Sequence, residues 1–273
     1  MPELPEVETI TRDLNKKIKD LSIDDVMIFD DRVVVGKKKD FIKNLKNKKI
    51  HSITRRAKAI IVSFADQTFL VIHLKMTGQL VYGKNLKESE NLKETKVVFK
   101  LSDGKFLNYN DQRLFGKLTF AADLDDISYL KNLGPEPLNG HFSAEWLNTN
   151  LEKRKVPIKT LLMDQRFVAG IGNIYASEIL FAAKVHPQKL SSRLKSAQIE
   201  LLYQSTRNIL NEAIQYRGTS MRNYRDADGK KGEFNNRIKV YAKDNEPCSV
   251  CGELILKIVQ AGRSTFFCQK CQK

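Results

Sequence analysis

Before residue 248 the chain contains no cysteine; its four cysteines stand at Cys248, Cys251, Cys268 and Cys271. A disulfide framework spanning the fold is thereby excluded, and one local device near the end remains. No apolar run approaches the roughly 18 residues a membrane helix needs. Acid is scarce, with 32 Asp and Glu against 47 Lys and Arg, and the net charge is +15. That surplus points to a polyanionic partner. A cationic membrane binder would need a basic amphipathic helix, and none stands out. The start is acidic and lacks a signal-peptide pattern, so a cytoplasmic protein is expected. The 273 residues, 41% of them hydrophobic, suffice for two ordinary domains and a small appendix.

What is present begins with MPELPEVE. If Met1 is removed, Pro2 carries a free secondary amine. An α-amino group titrates near about 7.7–8.0, whereas a lysine at about 10.4 stays mostly protonated. An N-terminal amine that attacks carbon and forms a Schiff base is a route to covalent catalysis. Glu3 and Glu6 stand close enough to act as acid or water-orienting partners. The same letters also read as a plain helix start, with Pro5 at the first helical position and Glu6 and Glu8 in a first turn that favours negative charge.

Leu4, Val7, Ile10, Leu14, Ile18 and Leu21 recur in steps of three and four, which predicts an amphipathic helix over 4–21. Short segments rich in Val, Ile, Phe and Thr follow at 22–29, 32–35, 50–55, 59–64, 69–74, 97–101, 105–109 and 117–121, separated by turn signals. Together they predict an antiparallel β-sandwich of about eight strands, with a short helix at 40–45 and a polar loop at 84–96. From Arg32 to Lys58 there are eleven Lys and Arg and one acid, Asp40. Lysines in such a run blunt sheet edges as readily as they bind phosphate; Arg55, Arg56 and Lys58 sit at a tight hairpin whose tip can reach a phosphate.

At Gly134-Pro135-Glu136-Pro137 the pattern turns helical, with helices expected at 143–151, 157–165, 173–184 and 192–216. The fold class is α+β: residues 1–133 form a β-sandwich domain, 134–236 a helical domain and 237–273 a zinc finger. The RFVAGIG linker ends on Asn173, a good N-cap, and a glycine-flanked helix start offers N–H groups to a phosphate. Residues 217–234, eighteen in number, show no periodicity and carry many turn formers, the pattern of a functional or disordered loop that can order on binding. The two CxxC pairs, sixteen residues apart, fit a closed Cys₄ site for one structural Zn²⁺ on a β-hairpin, with Arg263 at its tip.

MPELPEVE, HLKMTG, NDQRLFG, GIGNIYASE and QAGRSTFFCQKCQ occur in that order across essentially the whole chain. In this they resemble the formamidopyrimidine-DNA glycosylase family, bacterial enzymes of base-excision repair. The resemblance implies a helix–two-turn–helix motif around Asn173, with Lys155 just upstream. It implies phosphate ligands Lys58, His73, Asn173 and Arg263. Met76, Arg113 and Phe115 would fill the space left by an extruded nucleotide, Arg113 facing the estranged base, expected to be cytosine. Thr219, Ser220, Met221, Arg222, Asn223 and Tyr224 would cap the lesion. Without the motif, Met76 and Phe115 read equally as core residues and His73 as a satisfied core histidine. Leu114 stands where the family often has a second basic residue.

The resemblance also implies a mechanism. Pro2 attacks the sugar, Glu3 protonates the ring oxygen and the base departs. Lys58 and Arg263 assist two eliminations, although a guanidinium with pKa above 12 is better suited to positioning phosphate. The partner is double-stranded DNA carrying an oxidised purine or an abasic site, and nothing demands a dimer. Two alternatives share much of the pattern: an endonuclease VIII-type glycosylase for oxidised pyrimidines, and a non-catalytic protein that recognises damaged DNA.

Overall fold

The protein is described from a computed structural model, over residues 1–83, 94–221 and 223–273. The loop expected at 84–96 and the lesion-loop residue Arg222 therefore lie largely and wholly outside the described residues. Two compact units form. One comprises Met1–Lys131 with Tyr216–Asn235, the other Asn132–Gln215 with Asn236–Lys273.

The first unit opens with helix α1, Leu4–Ile18. Leu4, Val7, Ile10, Leu14 and Ile18 are fully buried, at about 1.5–3 kcal/mol each for burial. The helix ends a turn before the periodicity does, because Asp20 takes the left-handed backbone (φ 68°) that closes a helix. Strands β1 (Ile23–Ile28), β2 (Ile50–Arg56), β3 (Ala59–Phe64), β4 (Phe69–His73), β5 (Gly78–Gly83), β6 (Thr95–Leu101), β7 (Phe106–Asp111) and β8 (Lys117–Ala121) follow. They make two four-stranded antiparallel sheets, ordered β1-β6-β7-β5 and β2-β3-β4-β8. Val26, Phe99 and Leu107 of the first sheet join Ile53, Ile60, Val62 and Ile72 of the second in one core with the apolar stripe of α1. The β3 run AIIVSF is apolar but for Ser63 because its other face is also covered, Ala59 and Ile61 packing with Leu124, Ile127 and Leu130. Helices α2 (Lys38–Leu45) and α3 (Ser128–Lys131) complete the unit's regular structure.

One expected strand is absent and one unforeseen strand is present. Residues 32–35 are not a strand: Asp31–Val33 form a 3₁₀ turn capped by Asp30, whose Oδ1 accepts Arg32 N–H at 3.2 Å. The Asp30-Asp31 pair favours that local bond over a ladder. In its place stands β5, whose bounding glycines hid it in the sequence and whose order comes from pairing with β7. The segment 216–235 belongs to this unit. Its Tyr224, Asp226 and Ala227 are buried, and Tyr82 N–H donates to the carbonyl of Ala227 at 3.0 Å. Its described residues are held by the contacts set out below.

The second unit carries α4 (Ala144–Leu151), α5 (Ile158–Met163), α6 (Asn173–Ala182), α7 (Ser196–Gln215) and the hairpin β9 (Ile255–Gln260) and β10 (Arg263–Cys268). Ser143 caps α4, its Oγ accepting from Trp146 N–H at 3.1 Å. Almost every residue of α6 is buried. It packs against α5, α7 and β10, and Phe181 at its end enters the core of the hairpin with Val240, Ile255 and Phe266. Among the described residues no helix is long and apolar enough to cross a membrane.

Candidate active site

In the first unit the N-terminal pair is built into the start of α1. Pro2 is buried, as are Glu3 and Glu6. The carboxylate of Glu6 accepts Glu3 N–H on Oε2 at 2.7 Å and Thr219 N–H on Oε1 at 2.7 Å. A single side chain thus ties the N-terminus to the loop that follows Tyr216. That loop is braced further on. Arg217 pairs with Asp13 at 2.5 Å and with Asp226 at 2.6 Å. Ser220 Oγ donates to the carbonyl of Tyr224 at 2.9 Å and accepts Gly232 N–H at 2.9 Å. Gln79 Nε2 donates to the carbonyl of Asn223. Thr219, Ser220 and Tyr224 are buried, whereas Met221 and Asn223 are exposed at the tip. Burial first, then the charge of Glu6, pushes the Tyr224 hydroxyl above its ordinary pKa, so it stays protonated. Gly218 is required: at φ +79° it lies in the left-handed region, and a Cβ there would meet Glu6 Oε1 at 2.7 Å.

Lys58 stands in the two-residue connection from β2 to β3 and is almost fully buried. Its predecessor Ala57 has φ +52°, a conformation that costs an alanine about 1 kcal/mol or more. The neighbouring cation is spoken for. Arg55 donates from Nε to Glu8 at 2.7 Å and from Nη1 to the carbonyl of Ala57 at 3.0 Å, which makes it part of the frame and corrects its reading as a phosphate reacher. Burial pushes Glu8 up, but the hydrogen bonds and charges of Arg55 and then Arg12 hold it below the usual carboxylate range. At the end of β4, burial first and then the charges of Lys75 and Lys58 bring His73 down to about 3. It is a neutral imidazole whose Nδ1 accepts Lys75 N–H at 3.0 Å. Its remaining ring nitrogen therefore carries a proton to donate.

Met76, Arg113 and Phe115 come together on two adjacent loops. Arg113 Nη1 lies 3.3 Å from the Met76 sulfur, and its guanidinium sits 4.7 Å from the Phe115 ring centroid. Met76 is 42% and Phe115 49% exposed, so neither is a core residue. Leu114 between them turns inward at φ +58° and packs against the core, a place where a second basic side chain would be buried.

In the second unit Asn173 is the first residue of α6 and Gly172 occupies the N-cap, which corrects the sequence reading. The Asn173 side chain is engaged elsewhere, Nδ2 donating to the carbonyl of Ser264 at 2.9 Å. The same carbonyl accepts from Lys159 Nζ at 3.3 Å, and Lys159 also donates to Thr265 Oγ1 at 2.8 Å. Lys159 is 2% exposed and was missed; the apolar residues around it in PIKTLLM disguise it as a solvated helix charge. Lys155, the expected ligand, is exposed. Arg263 is exposed at the start of β10, after Ala261 and Gly262 in the left-handed region (φ 49° and 72°). Lys159, Thr160, Met163, Asp164, Gln260 and Arg263 line a cleft of about 310 Å³ beside the hairpin tip. Glu178 on α6 accepts the amides of Lys239, Val240 and Tyr241 at 2.8, 3.0 and 2.8 Å, anchoring the chain that leads into the hairpin.

Cys248, Cys251, Cys268 and Cys271 bring four sulfurs within 4.8 Å of one another. Cys248 and Cys271 are 3.9 Å apart, Cys251 and Cys268 3.4 Å. A tetrahedron of thiolates about 2.3 Å from zinc has edges of about 3.8 Å, so the donor set fits one structural Zn²⁺.

Sequence profiles of known families match three stretches: the formamidopyrimidine-DNA glycosylase N-terminal domain over residues 1–118, the formamidopyrimidine-DNA glycosylase H2TH domain over 133–225, and a zinc finger found in FPG and IleRS over 245–273. The formamidopyrimidine-DNA glycosylase of Desulfitobacterium hafniense is 42% identical over 275 residues, covering 100% of both chains. Among solved structures, Lactococcus lactis Fpg with abasic-site DNA superposes at a TM-score of 0.91, with 37% identity and 99% coverage of both chains. The same protein with an N7-benzyl-Fapy-dG DNA gives a TM-score of 0.91 and 37% identity over 100% of both chains. With an oxidised pyrimidine in the DNA the values are 0.90 and 36%, again over 100% of both.

Proposed function

The chain belongs to the formamidopyrimidine-DNA glycosylase family, and from that membership we propose how its residues carry out the family's reaction. It is a base-excision repair enzyme that removes oxidised purines from double-stranded DNA and cleaves the strand at the resulting abasic site. One closed zinc site serves structure and takes no part in the chemistry. The enzyme works in the cytoplasm, on the DNA of the nucleoid, as a monomer.

The damaged nucleotide leaves the duplex, because its sugar cannot be reached inside the stack. Once Met1 is removed, the Pro2 nitrogen attacks the anomeric carbon. The base departs with the bonding electrons and takes up the proton that the amine sheds; Glu3 then protonates the ring oxygen as its bond to the anomeric carbon breaks, and the nitrogen lone pair completes a C=N bond. A secondary amine has no second hydrogen to lose, so the imine is a cation that draws electrons and acidifies the adjacent sugar proton. Loss of that proton expels the phosphate on one side, and a second elimination expels the other. Lys58 donates the proton in the first elimination; Arg263 positions phosphate in the second. Lys155 and Asn173 grip the backbone, with His73 donating to it as a neutral imidazole. Met76, Arg113 and Phe115 fill the vacated space, and Thr219–Tyr224, with Arg222 among them, closes over the extruded base.

The observation that carries this reading is the pair of 2.7 Å hydrogen bonds on Glu6, which join the Pro2-Glu3 end to the Thr219 loop. Borohydride added during turnover of a duplex containing 8-oxoguanine opposite cytosine traps a covalent protein–DNA complex through Pro2. No trapped complex from a protein with Met1 removed overturns the lyase reading. Retention of Met1 in the mature protein supports a non-catalytic binder instead. The Lactococcus lactis complex with an oxidised pyrimidine keeps that second substrate class open, and excision of thymine glycol beside 8-oxoguanine measures it.

A further inference from the structure

We propose that Asp111 is the positioning residue that sets Met76, Arg113 and Phe115 into one preformed wedge. The inference rests on the reading of those three as the side chains that fill the vacated space, and deepens it. Asp111 ends β7 and is fully buried. Its carboxylate accepts Thr77 Oγ1–H at 2.5 Å, Gly116 N–H at 2.8 Å, Arg113 N–H at 3.2 Å and the Tyr109 hydroxyl at 3.3 Å. Thr77 follows Met76 and Gly116 follows Phe115, so one side chain holds the hydroxyl of Thr77 and the backbone of Arg113 and Gly116, a point at or next to each wedge residue. A cross-link closes the ring, Arg113 N–H also donating to Thr77 Oγ1 at 3.0 Å.

Each of these four groups is a donor, so the carboxylate oxygens serve them as acceptors. The Tyr109 hydroxyl keeps its proton, since burial and then the Asp111 charge push its pKa up. The packing leaves no room for a side chain at Gly116. A Cβ at Gly116 would lie 1.7 Å from the Tyr109 hydroxyl oxygen and 2.9 Å from Asp111 Oδ2. Lys75 and Leu114, which flank the wedge residues, hold left-handed backbones at φ 50° and 58°, and such strain persists only where the surroundings fix it. Exposed Met and Phe tips on an otherwise braced pair of loops are ready to insert without first being ordered, which is the gain from preorganisation.

Asp111→Asn sets an amide N–H₂ against those donors and loosens the wedge. The test is the ratio of two rates for each protein: excision of 8-oxoguanine from duplex DNA, which needs the wedge, and strand cleavage at an abasic site in a single-stranded oligonucleotide, which has no opposite strand. Asp111→Asn lowers the duplex-to-single-strand ratio at least tenfold. A second variant, Thr77→Val, removes one donor from the same node and lowers the ratio in the same direction if Asp111→Asn does not fold. An unchanged ratio in the folded variants, whether both rates hold or both fall together, overturns the role of Asp111. A wild-type protein that processes neither substrate instead overturns the glycosylase reading itself.

Discussion

Glu6 accepts the backbone N–H of Thr219, 213 residues further along the chain, at 2.7 Å. Its other oxygen accepts the N–H of Glu3, so the residue after Pro2 and the loop that follows Tyr216 share one carboxylate. Glu6→Gln keeps one acceptor and turns a second N–H donor against one of the two amides. An unmatched buried donor costs on the order of 1–3 kcal/mol. Excision of 8-oxoguanine falls on the order of 10²-fold, as expected when a reacting group is misplaced by about 1 Å. Single-turnover excision, with thermal unfolding as the control for folding, checks this; Gly218→Ala, which crowds the same oxygen, produces the same loss.

His73 gives a prediction in pH. Burial, with the charges of Lys75 and Lys58, brings its pKa down to about 3 from the ordinary 6.5. A depressed histidine contributes stability that is fully present above the unfolded pKa and is lost as pH falls from about 6.5 toward 3. Wild type therefore loses stability in that window more steeply than His73→Gln, and Tm measured against pH for the two proteins shows the difference. Between pH 7 and 8, where the imidazole is neutral in folded and unfolded chain alike, the two curves run parallel.

Much of this molecule was legible from local pattern. The α1 stripe, seven of the sandwich strands, the Ser143 cap and the CxxC pairs each depend on neighbours a few residues away. What escaped depends on distant partners. Strand β5 exists because β7 pairs with it, and its glycine ends carry no local signal. The burial of Lys159 is set by Thr265 and Ser264, some hundred residues on. Asn173 satisfies every local rule for an N-cap, yet its amide serves the Ser264 carbonyl and leaves that position to Gly172. Arg55 belonged to a run of cations whose tasks sequence alone cannot divide, and Glu8 on α1 divides them.

The zinc site makes its own demand. Cys268 is fully buried at the end of β10, the strand whose Ser264 carbonyl receives Asn173 and Lys159. Chelation of the metal, or Cys268→Ser, frees β9 and β10 from that geometry, because a small metallo-hairpin has little core of its own. DNA affinity falls at least tenfold while the helical circular dichroism signal is kept. Fluorescence anisotropy with a lesion duplex, before and after zinc is restored, measures the loss and its recovery.

Salt dependence separates the charged residues proposed to hold phosphate from the neutral ones. A cation that neutralises a phosphate releases condensed counterion, steepening the plot of log affinity against log salt by about 0.9 per contact. Arg263 is cationic and exposed at the hairpin tip, whereas Asn173 is uncharged and His73 is a neutral imidazole. Arg263→Ala therefore weakens binding and makes the slope shallower by about one. Asn173→Ala weakens binding through a lost hydrogen bond and through release of Ser264, and its slope stays at the wild-type value. Titrations of the same lesion duplex at four or five salt concentrations decide the matter. Equal slopes for Arg263→Ala and wild type would remove Arg263 from the phosphate contacts, and a shallower slope for Asn173→Ala would mean that its loss unseats the Arg263 tip as well.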